Sequence, residues 1–283
     1  MLQPQLDFQA LPEGCIATVI SLTSPPDACR LSLLSKVVRS AAESDAVWDK
    51  FIPPETQITI LSHPNSLSSP NFKSKKDLFM TLCDNPVLIN EGTMSFSLDK
   101  WSGKKCYMIA SKGLRIAWGD TPRYWEWISL PDSRFEEVAE LRGVGWFEIR
   151  GRIATRMLSP STLYKAYLVY KFNGRPHGFE DHPTAVAVSA RSYGFDYESP
   201  NLSEMVEGGD LKYTAFLARP EREVSEEARL PDERVDGWLE MELGEYLCEG
   251  DEDAELEMIC CEINSSGKDG IIVQGIEVRP KRN

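Results

Sequence analysis

A change of rhythm at about Phe96 constrains this chain more than any other feature. Beyond it, short apolar runs are separated by Gly, Pro, Asn and Asp, at Phe96–Leu98, Cys106–Ala110, Leu114–Trp118, Tyr124–Ile128, Val138–Ile153, Leu163–Phe172, Ala185–Ala190, Tyr213–Leu217, Gly237–Leu243, Leu256–Ile263 and Ile271–Arg279. Many short strands with few helices predict a β-sandwich. Phe147, Ile149 and Ile153 alternate with Glu148, Arg150 and Arg152, and Leu239, Met241 and Leu243 alternate with Trp238, Glu240 and Glu242. Each such strand is expected to bury one face and wet the other.

Within that region Leu114 to Ile128 is unusual: two strand-like runs flank a Gly119-Asp120-Thr121-Pro122 turn, with Trp118, Trp125 and Trp127 on its shoulders. Aromatic faces beside Asp120, Arg123 and Glu126 suit a ligand with both apolar C–H faces and hydroxyl edges, as a sugar has. The alternative is core packing, because Trp118 is in period-two phase with Leu114 and Ile116.

The first fifty residues follow a different rule. Pro12 and Glu13 open a short helix containing Ile16 and Ile20, and Thr23 to Asp27 breaks it. Ala28, Leu31, Leu34 and Val38 line a second helix, and Ser44 or Asp45 caps a third with Val47, Trp48 and Phe51 on one side. Three helices in about forty residues cannot bury that much apolar surface alone, so the unit is expected to pack on a partner or to cap the following domain. Ser62 to Pro70, with an exposed His63, reads as a linker, and Ser74 to Cys83 as a helix with Leu78, Phe79 and Leu82 inward.

Composition narrows the function. The net charge of −13 excludes a nucleic-acid or anionic-membrane surface built on Lys and Arg. No apolar run has the length of a membrane span and the N-terminus lacks a signal-peptide pattern, so a cytoplasmic or nuclear location is expected. Cys15, Cys29, Cys83, Cys106, Cys248, Cys260 and Cys261 have no repeated spacing and read as buried thiols in a reducing compartment. His177 and His182 lack the spacing of a metal pair, and Glu249 to Asp253 lacks that of a calcium loop. Neither metal nor cofactor is expected. No nucleophile elbow, phosphate loop or distinguished carboxylate pair points to catalysis.

Two resemblances give these elements a context. Leu11-Pro12-Glu13, the Pro25-Pro26-Asp27 break, the Leu31 to Val38 segment and Ser44-Asp45 followed by Val47-Trp48 resemble an F-box. Cys15 and Ala17 stand where larger aliphatic residues are usual in that motif. The resemblance implies binding to a Skp-type adaptor through Leu11, Pro12, Ile16, Ile20, Pro26, Leu34 and Trp48, and through it to a cullin ligase scaffold. Lys104 to Met108, Ile116 to Trp127, Val138 to Leu141, Asp236 to Glu240 and Gly275 to Lys281 resemble, in order, the plant phloem lectin or Nictaba-type domain.

The whole chain is therefore similar to the plant F-box phloem lectins. The implied fold is α+β: residues 1–55 a three-helix F-box, 56–95 a linker and connecting helix, and 96–283 a mostly antiparallel, jelly-roll-like β-sandwich. The implied function is that of a non-catalytic receptor subunit of a ubiquitin ligase that binds glycoproteins through N-acetylglucosamine-containing glycans. The implied sugar contacts are Trp118, Trp125, Glu255 and Glu262. The odd separation of the two acids would put them on opposite faces of a regular strand, so both can serve only if a bulge or strand end intervenes. An alternative keeps the adaptor and has the long loops from Asn173 to Glu233 recognise a protein surface without sugar.

Overall fold

The computed structural model describes residues 11–54, 56, 72–180, 182–192, 213–220, 222–223, 228–250 and 253–282. The expected linker at Ser62 to Pro70 lies outside them, as does residue 193 to residue 212 of the expected long-loop region. The chain is α+β, with five helices and antiparallel strand ladders among the described residues. It divides into two compact units, one comprising residues 1–89 and 96–106, the other residues 90–95 and 107–283.

In the first unit, α1 (Glu13–Ser21) follows Pro12 and turns Ile16, Ala17 and Ile20 inward. The helix expected from Ala28 to Val38 is instead two, α2 (Pro25–Leu31) and α3 (Lys36–Glu43). Serines decide the break. Ser24 accepts from the Asp27 N–H to start α2, and Ser35 accepts from the Val38 N–H to start α3, each at 3.3 Å, so Ser32 to Ser35 leave the helical path. Ser44 caps α4 (Asp45–Phe51) and Ser74 caps α5 (Lys75–Asp84). Trp48, Phe51 and Phe79 form the aromatic centre, with the Trp48 and Phe79 rings 5.3 Å apart. The Trp48 indole N–H donates to Ala42 O at 2.8 Å.

The second unit is built around one 27-residue strand, β13 (Ala254–Pro280). The sequence suggested two strands here; the chain continues through Ser265 to Gly270 and simply changes partners. Residues 254–263 pair with β7 (Val144–Ala154) and β9 (Thr184–Ser192), whereas residues 271–280 pair with β8 (Thr162–His177), β6 (Val138–Leu141) and the end of β3 (Lys105–Ala110). Beyond these, β4 (Arg115–Ile116) pairs with β7, β5 (Trp125–Ile128) with β6, β10 (Tyr213–Ala215) with β9, β12 (Leu239–Cys248) with β8 and β11 (Asp232–Glu233) with β12. A Cβ on Gly275 would stand 2.0 Å from Ile109 O, so only glycine fits where β3 meets β13.

Period two explains the core faces. Phe147, Ile149 and Ile153 of β7 lie in register with Glu262, Cys260 and Leu256 of β13, and all six are buried. The opposite face departs from the expected wetting, since Arg150, Glu257, Ile259 and Cys261 are also buried there. Arg150 is held by Glu148 at 2.5 Å and lies 3.8 Å from Glu257. Trp238 is buried as well, because its indole N–H donates to Asp132 O and Lys171 Nζ sits 4.5 Å from its ring centroid. Of the cysteines read as buried, Cys15 and Cys29 are exposed and Cys83 is intermediate. Among the described residues no His, Cys, Asp and Glu group is placed to hold a metal, and no helix is long and apolar enough to cross a membrane.

Candidate functional site

The aromatic loop is assembled from hydrogen bonds that its sequence makes necessary. Ala117 N donates to Glu148 O at 2.9 Å, extending β4 along β7, and then the ladder stops. Gly119 N reaches back to Ile116 O, Thr121 N to Trp118 O and Trp125 N to Thr121 O, each at 2.9–3.1 Å. This tight path puts Trp118 at φ +60°, a conformation that non-glycine residues rarely adopt. The twist lifts Trp118 out of phase with Leu114 and Ile116. Its ring is 58% exposed, with Tyr124 at 6.3 Å.

Trp125 behaves in the opposite way. It is 2% exposed, its ring packs 6.3 Å from Phe147, and its indole N–H donates to Ala117 O at 3.1 Å. The two tryptophans are therefore unlike: one faces solvent, and the other clamps the residue before it. Trp127 is half-buried with Lys112 Nζ 5.7 Å from its ring centroid. Glu126 is exposed and paired with Arg142, which also lies 3.4 Å from Glu140.

The acids are not gathered around Trp118. Register runs without a shift from Glu255, opposite Ala154, to Glu262, opposite Phe147, so the two point to opposite faces, roughly 23 Å apart along the strand. Glu262 is near the aromatic end but 3% exposed, with Lys268 Nζ at 3.5 Å and Thr184 Oγ1 at 3.4 Å. Lys268 is itself wholly buried and donates to Gly145 O and Ser266 O. Glu255 is partly exposed, 3.5 Å from Arg152.

A residue that sequence reasoning missed stands on the neighbouring strand. Trp146, 48% exposed, donates its indole N–H to Glu148 at 2.9 Å. Burial opposes the Glu148 charge, yet hydrogen bonds from Arg150 and Trp146 keep the carboxyl below its usual range. The signal was present: Trp146 shares the outward phase of Glu148 and Arg150. Solvent thus meets two half-exposed indoles, Trp118 in the turn that follows β4 and Trp146 on β7, with an ionised carboxylate held by the second.

The residues suggested for adaptor binding divide in two. Ile16, Ile20 and Trp48 are 0–1% exposed and form the interior of the first unit. Leu11 and Pro26 are partly exposed, Pro12 is exposed and Leu34 is 65% exposed. Val19, Leu22, Leu33 and Val37 add further exposed apolar side chains on α1, the α2–α3 break and α3.

Residues 104–280 match the family described as phloem protein 2. The chain belongs to this family. It is 43% identical over 310 residues to F-box protein PP2-B1 of Arabidopsis thaliana, spanning 98% of this chain and 90% of that protein. It is 41% identical over 280 residues to F-box protein PP2-B10 of the same plant, spanning 97% and 94%. Both alignments run through the helices as well as the strands, so the chain is an F-box protein with a phloem protein 2 domain. In that domain, Trp118 and Trp146 are the exposed indoles and Trp125 is an internal support.

Proposed function

We propose that this F-box protein is the substrate-receptor subunit of a Skp-cullin-F-box ubiquitin ligase, acting in the cytoplasm and nucleus. In this reading the phloem protein 2 domain, a jelly-roll-like sandwich, holds N-acetylglucosamine-containing glycoproteins while other subunits transfer ubiquitin. The observation that carries the sugar half is Trp118, an exposed indole held at positive φ by a turn that Trp125 clamps. A rigid aromatic face stacks on a pyranose ring at little entropic cost, and neighbouring carboxylates accept its hydroxyls. Glu262 acts from behind by fixing Lys268, and Glu255 lies outside contact range of the Trp118 ring.

The adaptor half rests on the exposed apolar side chains at Val19, Leu22, Leu33, Leu34 and Val37, together with exposed Pro12 and partly exposed Pro26. Ile16, Ile20 and Trp48 support that surface from within. The test is binding of the protein, held in its adaptor complex, to a panel of free glycans, with Trp118→Ala alongside. Saturable binding that disappears in the variant supports the lectin reading, and absence of binding to every glycan refutes it.

The separation of Glu255 from Trp118 favours a second reading, in which the domain recognises a protein surface through the region between Asn173 and Glu233. Under that reading, removing residues 193–212 abolishes target capture and leaves any sugar binding intact.

A further inference from the structure

We propose that Trp146 and Glu148 form a further sugar-contact site, which takes an uncharged, hydroxyl-bearing ring of the same glycan that Trp118 holds. The inference rests on the sugar reading above and gives that reading contact residues on β7. Both side chains stand on one face of that strand, and Glu148 O accepts the N–H of Ala117, the residue before Trp118. The two indoles therefore lie at the same end of the β4–β7 pairing.

A relay of charges holds the pair in place. Glu148 Oε2 accepts the Trp146 indole N–H at 2.9 Å, and its Oε1 accepts from Arg150 Nε at 2.5 Å. Arg150 is buried, with Nη1 3.8 Å from Glu257 Oε1, an oxygen that also takes two hydrogen bonds from Arg152 at 2.8–3.0 Å. Arg191 Nε lies 3.4 Å from the other Glu257 oxygen. A guanidinium anchored this way fixes the carboxylate, and the carboxylate fixes the indole, so the ring holds its orientation before a ligand arrives. Trp146 and Glu148 are the contacts; Arg150 and Glu257 are positioning residues behind them.

The chemistry of the pair selects the occupant. Trp146 is half-exposed and Ile263, directly across from it on β13, is exposed as well, so an apolar C–H face has a surface to rest on. A carboxylate offers about four acceptor positions, and the bonds from Trp146 and Arg150 leave room for ligand hydroxyls. Charge of either sign is disfavoured. The carboxylate opposes an anion, whereas a cation meets Arg115, exposed on β4 opposite Arg150, and a Glu148 charge that Arg150 already balances. A neutral ring with apolar faces and hydroxyl edges satisfies both conditions.

The test is a titration of the full chain, held in its adaptor complex, with the trisaccharide of β-linked N-acetylglucosamine, read by calorimetry and by NMR of the tryptophan indole N–H groups. The Trp146 resonance is the one missing from Trp146→Phe. Ligand should shift that resonance in the parent, and Trp146→Ala and Glu148→Gln should each weaken binding about tenfold or more. Arg150→Lys should move the Trp146 resonance before any ligand is added, leave the buried Trp48 and Trp238 resonances in place, and weaken binding about threefold. Binding that is lost in Trp118→Ala but unchanged in Trp146→Ala and Glu148→Gln overturns this site and leaves the sugar reading standing, whereas no binding by the parent overturns both. The de-acetylated, cationic trisaccharide should bind more weakly than the acetylated one. Tighter binding of that cation, abolished by Glu148→Gln, overturns the neutral occupant in favour of an ammonium ligand.

Discussion

Trp118 shows how much a single residue can be asked to do. Its φ of +60° costs an L-residue about 1 kcal/mol relative to glycine, and its exposed ring recovers little of that by burial. Trp118→Gly should therefore raise unfolding stability by about 1 kcal/mol in a denaturant titration while removing glycan binding, a trade of stability for function. Trp125 calls for the reverse experiment. Trp125→Phe keeps most of the packing on Phe147 and deletes only the N–H to Ala117 O, which should cost about 1 kcal/mol and weaken binding by loosening Trp118. Unchanged stability in that variant would mean that the clamp is not needed.

At the scale of elements, the α2–α3 break converts a helix face into a display. Leu33 and Leu34 are exposed because Ser35 restarts the chain as α3, whereas Ile16 and Ile20 on α1 are sealed. Ile20→Ala should cost roughly 2–5 kcal/mol by leaving a cavity, and Leu34→Ala within about 0.5 kcal/mol, both read from chemical denaturation. Adaptor capture should respond in the opposite order, with folded Leu34→Ala losing affinity. Full adaptor binding by a Leu22, Leu33 and Leu34 triple alanine variant would remove this surface from consideration. On β13, Lys268 is a buried cation: Lys268→Met removes the positive charge beside the buried Glu262 carboxylate, and the expected loss is about 3–5 kcal/mol.

At the scale of the whole molecule, charge and continuity matter most. Glu277 sits on β13 among Arg134, Arg234 and Arg279, with Arg279 reaching on to Glu240. Burial pushes the Glu277 carboxyl up, but the guanidinium groups of Arg234, Arg134 and Arg279 win and hold it at about 2, against an ordinary 4.5. The folded-state value is depressed, so the stabilisation is complete above about pH 4.5 and is lost as pH falls from there towards about 2. Its size is about 3 kcal/mol at neutral pH. Acid unfolding curves should shift for Glu277→Gln relative to the parent, with the difference vanishing near pH 2; parallel curves at all pH values would contradict it.

What the sequence determined by itself was periodicity and local chemistry. The helical start, the cap at Ser44, the inward face of β7 and the opposed faces of Glu255 and Glu262 all follow from spacing along one strand or helix, which neighbours in sequence enforce, whereas the Ser35 cap that divides the expected Ala28 to Val38 helix was not read. The aromatic loop was visible too, since Gly119 and Pro122 announce a turn. What it could not decide was which tryptophan faces water. Period-two phase put Trp118 inside, and only the hydrogen bonds at Ala117, whose N–H donates to Glu148 O and whose carbonyl accepts from the Trp125 indole, show that the strand ends early and the ring swings out. The same holds for β13, whose two apolar runs read as two strands until five different partners show one continuous chain. Burial of Glu257 and Trp238 was equally hidden, because it depends on groups distant in sequence, Arg152 on Glu257 and Asp132 O on the Trp238 indole.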